Sequence, residues 1–272
     1  MREFRPLGNT LFPPVVKNLL IINGILFFAT TVFKNNFPLT NYLALTYFES
    51  SNFKVWQLVT HLFMHADIGH LFSNMFSLWI FGTTVENYLG SKKFLQYYLL
   101  TGLLASVLYT GVQYLEIHPV KEHAIAYEIN PNYQDFEKFV SEDINSSQRP
   151  DYIEFVDYYK ANPSDVEVKR ASVTAVNNYT TKLLNSQVLG ASGAVFGILL
   201  AFGWLFPNAL IYIYFFFPMK AKYLVILYGA FELYNGIANN PGDNVAHFAH
   251  LGGMLVGFIL IKIWDIRRPN QF

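Results

Sequence analysis

Six apolar runs, each close to the length needed to cross about 30 Å of hydrocarbon, constrain this chain more than any other feature. In lipid a backbone must satisfy its own N–H and C=O groups, and a helix does so within one segment. The runs are Val15 to Phe33, Gly69 to Tyr88, Phe94 to Leu115, Ala191 to Phe206, Ala221 to Ile237 and Val245 to Trp264. Of 272 residues 53% are hydrophobic and only 14% charged, with 19 Lys and Arg against 19 Asp and Glu. Soluble domains run nearer a quarter charged, so a disordered chain, a basic nucleic-acid binder and an acidic tail are excluded, and the lipid bilayer is the expected partner. The absence of cysteine removes a disulfide scaffold, a thiolate metal site and a cysteine nucleophile. Asn23 and the lack of a small-residue cleavage site argue that the first run is a retained helix and not a signal peptide.

Two connections are more than turns. Lys34 to Thr60 mixes aromatics such as Tyr42 and Trp56 with polar residues, the composition of a membrane interface. Glu116 to Gln187 holds 12 of the 19 acidic residues and 7 of the 19 basic ones, so it belongs in water, and apolar residues at helical spacing predict short helices within it. Such an insert either selects substrates or is a tolerated loop insertion. Basic residues flank the runs on one side of an alternating path: Arg2, Arg5 and Lys17, then Lys92 and Lys93, Lys220 and Lys222, and Lys262, Arg267 and Arg268. An integral, multi-pass protein with both termini cytoplasmic is expected, in a bacterial plasma (inner) membrane, with the insert and first loop on the outer face.

Polar residues inside such runs are costly and mark candidate chemistry. Five of the seven histidines cluster at the outer ends of two runs: His61, His65 and His70 at the second, His247 and His250 at the sixth. For His61 and His247 the simpler reading is interfacial snorkelling or a satisfied backbone group. His70 and Asn74 share one helix face, where they serve either as oxyanion donors or as hydrogen-bond glue between helices. Gly190-Ala191-Ser192-Gly193 opens the fourth run with a hydroxyl left sterically open at a helix N-terminus. Gly193 and Gly197, like Gly253 and Gly257, have the spacing that permits close helix contact, which would bring His250 within reach of Ser192 and let Phe196 stack on the imidazole.

These residues resemble the rhomboid intramembrane serine proteases. The likeness runs through Trp56, His65-x-x-x-x-His70-x-x-x-Asn74, Gly82-x-x-Val85-Glu86-x-x-Leu89-Gly90, Gly190-Ala191-Ser192-Gly193 and Ala249-His250-x-x-Gly253-x-x-x-Gly257. The resemblance implies Ser192 as nucleophile and His250 as general base. It implies an oxyanion hole of His70, Asn74 and the Ser192 amide, an approach opened by Gly190, structural support from His65, and a capping role for Glu86. Gln57 stands where the family often has Arg, and Phe196 where it often has Tyr. The expected fold class is an all-α membrane protein, a six-transmembrane-helix rhomboid-like bundle with an extramembrane helical insert between the third and fourth helices. In residues, 1–115 and 188–272 form the two parts of the membrane domain and 116–187 the hydrophilic insert.

The implied reaction is hydrolysis of a peptide bond in a transmembrane protein substrate by a Ser-His dyad, without an acid partner, cofactor, metal or nucleic acid, and with no sign of an obligate oligomer. Stacking on Phe196 and close packing at Gly253 would stand in for the missing acid. A histidine-ligated metalloenzyme, a zinc protease or di-iron oxygenase, is the distant alternative, because the two histidine clusters come without intramembrane carboxylates or a His-Glu-x-x-His motif. An inactive relative would usually lack Ser192 or His250, and a transporter would carry paired broken helices or mid-membrane charge.

Overall fold

A computed structural model describes residues 10–213, 216–238 and 245–269. Arg2, Arg5 and the middle of the turn between the fifth and sixth runs lie outside the described residues. All six apolar runs are helical. Helix α1 (Pro14–Phe33) begins on a proline, whose missing N–H costs nothing at a helix start. Its next two amides, of Val15 and Val16, donate to Glu86 Oε1 and Oε2 at 2.9 and 2.7 Å. Glu86 is buried and also accepts from Ser91 Oγ at 2.6 Å. A single carboxylate therefore caps α1 with favourable charge and pins it to the second run, giving the expected capping role a definite form. The second run is one continuous rod: α2 (Ile68–Ser77), a π-helical turn at Leu78–Gly82, and α3 (Thr83–Leu89).

Helix α4 (Ser91–Ile129) has 39 residues, about 58 Å at 1.5 Å per residue. The boundary expected after Leu115 is not a break in the helix, which runs on past Pro119. The extension persists because Ile117, Val120, Ala124 and Tyr127 recur every three or four residues and are buried. Val120, Ala124 and Tyr127 enter a second apolar core with α5 (Tyr133–Glu142), α6 (Pro150–Ala161) and α7 (Val166–Leu184), where Phe136 and Tyr159 are fully enclosed. Asn132 and Asp165 cap α5 and α7 by accepting from the amides of Asp135 and of Glu167 and Val168. Beyond α7, Asn185 Oδ1 accepts from Ser50 Oγ and Asn52 Nδ2 at 2.6 and 2.9 Å. Strands β1 (Leu45–Thr46) and β2 (Gln187–Val188) then pair antiparallel, stitching the first loop to the segment that leads into Ser192.

Helix α8 (Ser192–Leu205) is the centre of the main core and is buried along most of its length. A hairpin follows, β3 (Leu210–Ile213) against β4 (Phe217–Lys220), where the sequence reading had only a basic link. Helices α9 (Ala221–Ala238) and α10 (His247–Ile263) complete the bundle. The two small sheets qualify the all-α expectation without changing the helical architecture. Large apolar side chains face outward, among them Ile25 and Phe28 on α1 and Ile226, Phe231 and Tyr234 on α9. Apolar residues on the outside as well as the inside of a bundle mark a non-aqueous surround. By length and composition α1 and α4 are able to cross a membrane, while α8 and α10 are apolar but shorter.

The contact of α8 with α10 is backbone on backbone. A Cβ added at Gly253 would overlap the Gly193 carbonyl oxygen, and one at Gly257 would meet Gly197 Cα at 3.2 Å. One at Gly197 would lie 2.9 Å from Thr101 and 3.1 Å from the Gly253 carbonyl. Tyr97 of α4 donates to the Gly197 carbonyl at 2.9 Å and locks the same layer. We predict that Gly253→Ala lowers stability by at least about 2 kcal/mol, since rigid backbone cannot yield to the added methyl. Gly111→Ala, with open space around its Cα, should leave the midpoint of thermal unfolding in detergent unchanged or raised.

Candidate active site

The site is assembled at one end of α2, α8 and α10. Asp67 caps α2, its carboxylate accepting from the His70 amide at 2.9 Å, and so fixes where the first turn begins. Four residues on, Asn74 stands beneath His70 on the same face. Both meet Gly190, two residues before Ser192. A Cβ at Gly190 would lie 2.7 Å from His70 Nε2 and 3.6 Å from Asn74 Nδ2. Gly190 also has φ of 120°, a conformation that L side chains rarely adopt. Its amide donates to the His61 carbonyl at 3.0 Å. Glycine is thus required twice over, by backbone angle and by the imidazole that occupies the space of a side chain.

Asn74 is 5% exposed, and its amide nitrogen has no hydrogen-bond partner among the described residues. Buried donors are nearly always paired, so the unpaired Asn74 Nδ2, on the cavity that Ser192 also lines, is able to bond a group that enters it. Ser192 begins α8 half-buried, and the α8 amides of that first turn are those that an α-helix leaves without internal acceptors.

His250 enters from α10, 8% exposed. Phe196, one turn along α8 from Ser192, stacks on its ring at 4.2 Å between centroids and 7° between planes. A cavity of about 860 Å³ takes in Ser192, His250, His70 and Asn74 together. Among the described residues Ser192 and His250 share this cavity without a direct hydrogen bond between them. Gly193, Gly253 and Gly257 set the α8–α10 spacing that puts both residues on this cavity.

His65 lies edge-on to His70, with centroids 5.1 Å apart. It is buried, and neither ring nitrogen has a partner among the described residues. His61 bonds the Gln57 carbonyl through Nδ1 at 2.8 Å, in keeping with a satisfied backbone group. Gln57, at the position of the family's frequent Arg, accepts from the Thr46 and Lys54 amides at 3.2 and 3.1 Å and so shapes the first loop.

One residue escaped the sequence reading. Glu232 of α9 is 5% exposed, and its Oε2 lies 2.6 Å from His247 Nδ1 and 2.8 Å from His250 Nδ1. This contact corrects the expectation of no carboxylate beside the histidines and shows His247 bonded to a buried side chain. The available signal was a lone carboxylate in the fifth apolar run, but nothing in the sequence says which neighbour α9 turns it toward. Glu232, His247 and His250 are also the described residues best grouped to hold a metal ion. Tetrahedral zinc with ligand bonds near 2.05 Å would separate its donor atoms by about 3.3 Å. The two N···O distances of 2.6 and 2.8 Å are shorter and suit hydrogen bonds.

The family model of the rhomboid domain matches residues 52–118 and 170–264, more than half of the chain. The chain belongs to the rhomboid family. It is 30% identical over 259 residues to "RHOMBOID-like protein 12, mitochondrial" of Arabidopsis thaliana, covering 95% of this chain and 60% of that protein's length. Over 52 residues, 19% of this chain and 10% of the relative, it is 42% identical to the rhomboid protease GluP of Bacillus subtilis. Over 58 residues, 21% of this chain and 22% of the relative, it is 40% identical to Rhomboid-like protease 3 of Toxoplasma gondii. Family membership carries an integral-membrane setting, and relatives named from a mitochondrion, a bacterium and a parasite do not select the bacterial plasma membrane. The stretch between the two matched segments, 119–169, takes in the end of α4 together with α5 and α6.

Burial holds the imidazoles of both His61 and His65 neutral, lowering each from 6.5 to about 4, and for His65 the nearby His70 adds to the effect. A base whose folded value is lowered is protonated first in the unfolded chain. Stability is therefore full above pH 6.5 and falls as pH drops from 6.5 toward 4. Each such group contributes a slope of up to about 1.4 kcal/mol per pH unit in that window. Because the His65 ring forms no hydrogen bonds among the described residues that leucine would forfeit, His65→Leu should fold and show a shallower acid loss in thermal unfolding between pH 6.5 and 4.

Proposed function

We propose that the chain is an intramembrane serine endopeptidase that cuts transmembrane helices of membrane proteins near the outer face of the bilayer. The observation that carries this reading is the meeting of His70 and Asn74 with the positive-φ Gly190, on the cavity that Ser192 and His250 also line. Family membership, with relatives named as proteases, supports it. Because the chain spans 60% of the Arabidopsis relative, the activity is put forward on this chain's own residues.

Ser192 Oγ attacks the peptide carbonyl while His250 takes its proton. His70, Asn74 and the Ser192 amide hold the oxyanion of the tetrahedral intermediate. His250 then protonates the leaving amine, and water admitted through the cavity releases the acyl group by the same sequence in reverse order of partners. A substrate helix hides its scissile carbonyl in its own hydrogen bonds, so local unwinding must precede attack, and segments with helix-breaking or small residues near the interface should be preferred. The same proposal includes six membrane crossings with both termini on the basic side and the acidic insert opposite.

Ser192→Ala should abolish cleavage of a model transmembrane substrate with a thermal midpoint close to native, and His250→Ala should abolish it with a lowered midpoint, because Glu232 loses one of its two buried partners. Cleavage retained by either variant would overturn the assignment. His70→Ala and Asn74→Ala should lower kcat by about 10²- to 10³-fold if each donor acts alone, and by less where the donors share the load, with modest change in KM. A rise confined to KM would contradict their role as oxyanion donors.

A further inference from the structure

We infer that Glu232 is a positioning residue that completes a Ser192–His250–Glu232 triad, an inference that rests on the protease reading of this site. Three observations carry it. The first is the contact itself: Glu232 Oε2 accepts from His250 Nδ1 at 2.8 Å, and both groups are buried. A carboxylate on Nδ1 fixes the tautomer, keeping the proton on that nitrogen and leaving Nε2 with its lone pair for the serine hydroxyl. The second is that the acceptor is itself held. His247 Nδ1 bonds the same oxygen at 2.6 Å, and it arises from the turn of α10 that carries His250. A carboxylate shared by two ring N–H groups of one helix cannot swing away without breaking both bonds. The third is the placement of α9. This helix exposes most of its apolar side chains, and its buried residues are Ala221, Leu224 and Val225 at one end and Glu232 toward the other. One turn before Glu232, Tyr228 meets the edge of Phe196, the ring that stacks on His250. A costly buried charge on a peripheral helix thus sits where it clamps the base from the side that Phe196 leaves open.

In the acylation step the Ser192 Oγ–H proton passes to His250 Nε2 as the Oγ–C bond forms. The Nδ1 proton stays on His250, and Glu232 faces the resulting imidazolium as a counter-charge. No proton reaches the carboxylate. When the C–N bond breaks, the Nε2 proton leaves with the amine, and the neutral tautomer held by Glu232 is restored. The titratable neighbours of His250 in this arrangement are Glu232, His247 and His70.

The test compares native full-length protein in detergent with Glu232→Gln, Glu232→Asp, Glu232→Ala and Ser192→Ala. The readouts are kcat and KM on a transmembrane substrate, the second-order rate of fluorophosphonate labelling, thermal midpoint, and bound zinc by elemental analysis. The expected result is that Glu232→Gln, which keeps size but loses charge and can present the wrong donor, lowers kcat and the labelling rate about 10²-fold per folded molecule, with KM within about threefold. Glu232→Asp should recover part of that loss, which a packing role alone would not produce. Glu232→Gln or Glu232→Ala with kcat and labelling within twofold of native, alongside an inactive Ser192→Ala, would overturn the triad and leave a dyad. About one zinc per native chain, lost in Glu232→Ala, with activity abolished by chelation, would overturn it in favour of a metal centre. Cleavage retained by Ser192→Ala would instead overturn the protease reading itself.

Discussion

Everything at the site depends on how closely α8 and α10 approach each other. Lipid gives no hydrophobic reason for two apolar helices to associate, so contact must come from van der Waals packing and interhelical polar bonds. Glycine supplies the first by exposing backbone to backbone at Gly193, Gly197, Gly253 and Gly257. That approach sets the depth at which Ser192 and His250 share a cavity, and it brings the Phe196 ring flat on the imidazole. A bulkier seam would move the base away from the serine before any catalytic group was altered.

Around this seam several buried polar groups fix backbone positions. Glu86 ties the first two helices together through the amides of Val15 and Val16. Gln57 organises the first loop, and the His61 carbonyl holds the Gly190 amide. The β1–β2 pairing and the Asn185 bonds anchor the end of the insert to that loop. The insert thus reaches the segment before Ser192 mechanically, although its helices enclose a separate apolar core. The irregular backbone of this region occurs where protein shields it.

Much of this arrangement was legible in the sequence. Each apolar run lies in a helical segment, and of these helices α1 and α4 are long and apolar enough to cross a membrane. Glycine spacing announced the seam, and the His70–Asn74 spacing announced two donors on one face. The rest was hidden for physical reasons. The continuation of α4 to Ile129 depends on packing against α5 and α7, which local composition does not reveal, and the acidic shift at Glu116 does not interrupt the helical backbone. The β3–β4 hairpin lies in apolar sequence too short to distinguish strand from helix. Glu232 was the largest omission: its meaning lies in which helix faces it, a tertiary fact without a local sequence signal.

The central claim is that a serine at the start of α8 is made nucleophilic by the groups converging on it. Labelling detergent-purified full-length protein with a fluorophosphonate and locating the adduct by peptide mass spectrometry tests this most directly, since it asks for reactivity at one named oxygen without requiring a known substrate. The account predicts a single adduct on Ser192, absent after Ser192→Ala and strongly reduced after His250→Ala. Failure of the native protein to label under conditions where it remains folded, or an adduct on a different residue, would contradict it.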